Sequence, residues 1–120
     1  MCYTIAPWTP ERVLTKPKQP NRKKPVEAIM TAEYRQRMAS MRDERAKGRI
    51  TSRVLRLCGG NPGDAQPVGE GVSEMRIHYG PGYRVYYKQK GDKIVILLLA
   101  GTKKRQSEDV ELAKQIARDY

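Results

Sequence analysis

From Ser73 to Ala100 the chain spells out three strands and the two turns that join them, and this stretch constrains the fold most. Ser73 to Tyr79 alternates, with Met75, Ile77 and Tyr79 on one face and Glu74, Arg76 and His78 on the other. Gly80-Pro81-Gly82 turns the chain. Tyr83 to Gln89 alternates again, setting Tyr83, Val85 and Tyr87 opposite Arg84, Tyr86 and Lys88, and Gly91-Asp92 makes the second turn. Ile94 to Ala100 is apolar throughout, so it reads as the central strand, covered on both faces. That run is the longest apolar one and is strand-sized, too short to span a membrane.

Helical spacing flanks this meander. Val26 to Met30 suits a first strand, and Thr31 is placed to cap a helix. Tyr34, Met38 and Met41 then recur at four and three, a helix over Ala32 to Met41. A second helix is expected from about Arg42 to Leu57, with Ala46, Ile50, Val54 and Leu57 as its apolar face. Gly59-Gly60-Asn61-Pro62-Gly63 stops it, and the stretch from Gly59 to Gly71 reads as a polar, glycine-rich loop. A last helix begins near Ser107, its cap, with Glu108 and Asp109 in the first turn and Val110, Ala113, Ile116 and Tyr120 on its buried side. The order is strand, two helices, a three-strand meander, helix, which is an α+β domain over residues 26–120. Residues 1–25 hold five of the eight prolines (Pro7, Pro10, Pro17, Pro20 and Pro25) and the run Arg22-Lys23-Lys24. They read as an extended, disordered arm in which Trp8 is the one large anchor.

Charge narrows the partners. Lys and Arg number 24 against 13 Asp and Glu, a formal net charge of +11 on 120 residues. Such a field attracts polyanions, so nucleic acid, a ribosome or an acidic protein fit better than a lipid surface. With two cysteines, Cys2 and Cys58, and one histidine, the chain lacks the ligands of a structural zinc site, and neither a metal nor a cofactor is expected. The N-terminus has no apolar core of a secretory signal, so the expected location is the cytoplasm, where a Cys2–Cys58 disulfide is not expected.

No phosphate-binding glycine loop, dinucleotide fingerprint or hydrolase triad stands out, so any chemistry must come from basic groups. Arg76 and His78 on one strand face Arg84, Tyr86 and Lys88 on its neighbour, about 5 Å across. Thr102-Lys103-Lys104-Arg105 adds three cations where the last strand exits. Arginine grips phosphate with a planar fork and tyrosine offers a stacking face, so this surface suits an RNA backbone. It equally suits the solvated side of a half-buried sheet. On the second helix, Arg45, Arg49, Arg53 and Arg56 form a basic stripe that fits ribosomal RNA, an acidic partner segment, or plain solvent.

The run from Pro67 to Tyr87, with Glu74-Met75-Arg76-Ile77-His78-Tyr79-Gly80-Pro81-Gly82-Tyr83-Arg84 at its heart, resembles the signature of HigB-like "addiction module killer" proteins of the RelE/ParE superfamily. So does the ending Leu97-Leu98-Leu99-Ala100-Gly101-Thr102-Lys103-Lys104-Arg105-Gln106. The resemblance covers residues 26–120. It implies a RelE-like α+β fold with a twisted antiparallel sheet. It also implies the toxin of a type II toxin–antitoxin module, a metal-independent, ribosome-dependent messenger-RNA endoribonuclease in which the substrate's 2′-hydroxyl attacks the adjacent phosphate. By motif, Arg76 and Arg84 would hold the scissile phosphate, aided by Lys103 or Lys104. His78 is a further catalytic candidate, and Glu74 would steady an arginine. Tyr86, Lys88 and Arg105 would contact RNA, and Arg45, Arg49, Arg53 and Arg56 would meet antitoxin or ribosomal RNA. The implied partners are a cognate antitoxin, in a heterotetramer or larger assembly, and messenger RNA with the ribosome. The chain departs from the family pattern at Thr102, where an aromatic residue is frequent, and at Ser107-Glu108, where Thr-Pro is frequent. Two other readings share the basic character: a ParE-like toxin that inhibits DNA gyrase by binding, and an inactive RNA-binding module.

Overall fold

The computed structural model describes residues 26–120; the expected arm, with Cys2 and Trp8, lies outside the described residues. The elements are β1 (Glu27–Met30), α1 (Ala32–Ser40), α2 (Glu44–Cys58), β2 (Ala65–Gly69), β3 (Val72–Ile77), β4 (Tyr83–Lys90), β5 (Ile94–Thr102), a 3-10 turn (Lys103–Arg105) and α3 (Gln106–Ala117). They form a five-stranded sheet in the order β1-β5-β4-β3-β2. β2 to β5 pair antiparallel, whereas β1 joins β5 in parallel, so the sheet is mixed rather than wholly antiparallel. β4 occupies the middle, and β5 is an interior strand beside it.

Two apolar layers bury the sheet. One lies under α1 and α2, where Tyr34, Ala46, Ile50, Val54 and Leu57 meet Met75, Val85 and Leu97. The other lies under α3, where Ala113, Ile116 and Ala117 meet Val72, Tyr86, Ile96, Leu98 and Leu99. The face of the meander expected to be open is therefore covered. Tyr120, expected on the buried side of α3, is exposed, and Ala117 packs instead. Among the described residues no helix is long and apolar enough to cross a membrane.

Local chemistry sets the helix starts. Thr31 caps α1 as expected: its Oγ1 accepts from Tyr34 N at 3.0 Å and donates to the Leu98 carbonyl at 2.9 Å. Asp43 caps α2 through the amides of Arg45 and Ala46, so the helix starts at Glu44 instead of Arg42. Ser107 does not cap α3, because the 3-10 turn runs straight into the helix and Arg105 takes the cap position.

Two features of the sheet were not legible beforehand. β2 lies inside the expected loop, with Pro67 tolerated because the strand is at the edge. The other is a bulge in β5. Tyr86 pairs with Leu99 and Tyr87 with Leu97, leaving Leu98 as the extra residue. Leu98 and Leu99 consequently both reach the α3 layer, and Ala100 returns to the other. The displaced Leu98 carbonyl is the one that Thr31 satisfies.

Candidate functional site

The β3–β4 hairpin meets the exit of β5 at one end of the sheet. Arg76 stands directly opposite Arg84, and Arg84 opposite Gly101. The turn is tied to the strand exit by Lys103 N donating to Gly82 O at 2.9 Å. Gly82, at φ 89°, lies so close to Lys103 that an added Cβ would come within 3.3 Å of the lysine Cβ. These contacts enclose a cleft of about 440 Å³ lined by Arg76, His78, Tyr79, Gly80, Pro81, Gly82, Arg84 and Lys103. Among the described residues no carboxylate lines it.

Each cation arrives there by a different route. Arg84 is only 8% exposed, and its Nε is buried with no hydrogen-bond partner among the described residues. Arg76 is partly exposed, with its Nε 3.4 Å from Oε1 of the fully buried Glu74. The other Glu74 oxygen accepts from Gln106 Nε2 at 2.7 Å, so α3 fixes the carboxylate that orients Arg76. Lys103 is exposed at the turn. His78 follows β3, and its Nε2 lies 2.6 Å from Asp64 Oδ2. The hydrogen bond to His78, reinforced by Arg76 and Arg53, holds the Asp64 carboxyl below the usual carboxylate range against a smaller opposing effect of burial.

Other expected site residues stand elsewhere. Tyr86 is completely buried under α3, so its ring offers no stacking face to a base. Burial, with Glu74 and Asp109 nearby, pushes its phenol well above the ordinary value, Arg84 opposing. Lys88 sits toward the far end of β4, away from the cleft, where its ammonium donates to the Ala117 carbonyl at 3.2 Å and caps α3. Lys104 is exposed outside the cleft wall, and Arg105 pairs with Glu108 at 3.3 Å.

The α2 arginines divide in the same way. Arg53 is a brace: Nη1 donates to Arg76 O at 2.6 Å and Nη2 to Pro62 O at 2.9 Å. The Arg49 guanidinium lies 4.6 Å over the Tyr79 ring. Arg45, Arg49, Arg53 and Arg56 line a second cleft of about 480 Å³ that His78 also borders. Asp64 and Gln106 escaped sequence reasoning, because both lie far along the chain from the groups they hold.

No family model matches the chain. A protein of Haemophilus influenzae, described as uncharacterized, is 42% identical over 82 residues, covering 68% of this chain and 83% of that protein. Among solved structures, the toxin–antitoxin complex RelBE2 from Mycobacterium tuberculosis contains a chain that superposes with a TM-score of 0.55 at 16% identity, covering 67% of this chain and all of that one. The described domain is therefore RelE-like in fold, and the chain belongs to the same family as the Haemophilus influenzae protein.

Proposed function

We propose that this chain is the toxin of a toxin–antitoxin pair, a HigB-like endoribonuclease that cuts messenger RNA at the ribosome. The observation that carries the reading is the convergence of Arg76, Arg84 and Lys103 on one cleft that, among the described residues, no carboxylate lines and in which none of them pairs the buried Arg84 Nε. An unpaired buried donor costs about 1–3 kcal/mol, and such exceptions call for an explanation. A phosphate entering the cleft would meet two forked cations, the largely desolvated Arg84 and, opposite it, Arg76 oriented from behind by Glu74.

The nucleophile in this chemistry is the 2′-hydroxyl of the RNA itself. The protein's part is to align that oxygen with the adjacent phosphorus and to stabilise the charge of the pentacovalent state. Arg76 and Arg84 grip the non-bridging oxygens, and Lys103 supports the leaving side. Lys104, just outside the wall, meets a flanking phosphate. The fold shared with a chain of a toxin–antitoxin complex supports an antitoxin partner. The α2 cleft, lined by Arg45, Arg49, Arg53 and Arg56, suits either an acidic antitoxin segment or ribosomal RNA.

Primer extension on a translated messenger, with and without ribosomes, tests the reading. Ribosome-dependent cuts that fall by at least about 100-fold in Arg84→Ala are expected, since single preorganised charge donors carry such factors. Absence of cuts under every condition overturns it, and a gyrase supercoiling assay then tests inhibition by binding.

A further inference from the structure

We infer that Asp64 is a positioning residue that holds His78 as the general base for the RNA 2′-hydroxyl, an inference that rests on the RNA-cleavage reading above. The contact is built into the fold. Asp64 immediately precedes β2, and its backbone carbonyl accepts from Arg76 N at 2.8 Å, which keeps it in register beside β3. The loop before it is pinned by Arg53 on the Pro62 carbonyl and by Gly63 N on the Asn61 side chain. From that anchored position the carboxylate reaches His78 Nε2 at 2.6 Å.

Chemistry then assigns the nitrogens. A carboxylate takes the Nε2–H of a neutral imidazole, so Nδ1 carries the lone pair. His78 is the one histidine of the chain and borders the cleft that holds Arg76, Arg84 and Lys103. Those three cations are donors without acceptors, whereas the His78 imidazole brings to this wall a nitrogen lone pair that can take a proton. The charged groups around it are Asp64 at the start of β2, Arg76 on β3, Arg84 on β4, Lys103 on the 3-10 turn, and Arg45, Arg49, Arg53 and Arg56 on α2.

Nδ1 of His78 takes the 2′-hydroxyl proton as that oxygen bonds to the adjacent phosphorus. The bond from phosphorus to the 5′-oxygen breaks, and that oxygen leaves with a proton from the Lys103 ammonium. The products are a 2′,3′-cyclic phosphate and a 5′-hydroxyl. Asp64 keeps its hydrogen bond throughout and faces the imidazolium that forms. Solvent then removes the proton from His78 and restores that of Lys103.

The test uses the untagged full chain on ribosome-bound messenger, measuring single-turnover cleavage from pH 5.5 to 9 for wild type, Asp64→Ala, Asp64→Asn and His78→Ala. Asp64→Ala is expected to cut about 10- to 100-fold more slowly, as losing the partner of a working histidine commonly does, with RNA affinity unchanged within about twofold. Asp64→Asn, which keeps an acceptor oxygen, falls between. His78→Ala loses the rise of rate with pH. Because the chain has one histidine, nitrogen-15 spectra report its ring without ambiguity; a hydrogen-bonded Nε2–H signal is expected in wild type and absent in Asp64→Ala. Wild-type cleavage with an Asp64→Ala rate and profile matching it overturns this inference alone. A wild type that cuts no RNA overturns the cleavage reading and this inference together.

Discussion

Gly101 has no room for a side chain: a Cβ there would run into the Asp109 carboxylate and come within 3.3 Å of Arg37 Nη1. Asp109 is 1% exposed and bound by both Arg37 nitrogens, at 3.1 and 3.3 Å, while Nη1 also donates to the Ala100 carbonyl at 2.9 Å. One ion pair thus joins α1, α3 and the end of β5 behind the cleft. Asp109→Ala takes the carboxylate partner from a part-buried arginine that keeps its bond to Ala100, and is expected to cost about 2 kcal/mol, read as a lower urea midpoint at unchanged slope. Gly101→Ala is expected to lower the midpoint too, through displacement of the same carboxylate. Cys58 allows a pH prediction. Burial pushes its thiol up to about 11 from 9.0. The unfolded chain therefore releases the thiol proton first, so this contribution is intact below pH 9 and is lost as pH rises toward 11. Urea midpoints in a Cys2→Ser background should fall across that window, and adding Cys58→Ala should remove part of the slope. Tyr34, raised by its burial and by Cys58, adds to the loss at higher pH.

Elements show where pattern reading succeeded and where it stopped. The α2 apolar face was legible because Ala46, Ile50, Val54 and Leu57 repeat at helical spacing, and all four are buried. Ile50→Ala should cost about 2–5 kcal/mol, measurable by denaturation. β2 was not legible, since Pro67 and Gly69 are poor strand formers and only pairing with β3 makes them extended. Its hairpin turns on Glu70 and Gly71, at φ 56° and 79°, the double left-handed geometry that favours Asn-Gly. Glu70→Asn should gain about 0.5 kcal/mol in thermal denaturation, the relief of a left-handed glutamate outweighing the exposed Arg118 pair it loses.

At the scale of the molecule, a net charge of +11 serves RNA only where the fold concentrates it. If three phosphates are neutralised by Arg76, Arg84 and Lys103, the affinity for single-stranded RNA should fall with salt at a log–log slope of about −2. Fluorescence anisotropy across a salt series checks this, and the triple alanine variant should bring the slope toward zero for a short oligonucleotide confined to that cleft. The sequence by itself determined the α+β class, the three-strand meander, the apolar face of α2 and the placing of Arg76 and Arg84 on one face of neighbouring strands, because alternation and helical periodicity are local signals written by burial. It also singled out the cations of the β5 exit. Only tertiary structure decided that α3 covers the other sheet face, which buries Tyr86 and turns Lys88 into a helix cap. The same packing made Glu74 and Arg53 braces and brought Asp64 to His78. Those outcomes depend on contacts between segments distant in the chain, and residue type alone does not say which polar side chain on a strand will meet solvent and which will meet another element.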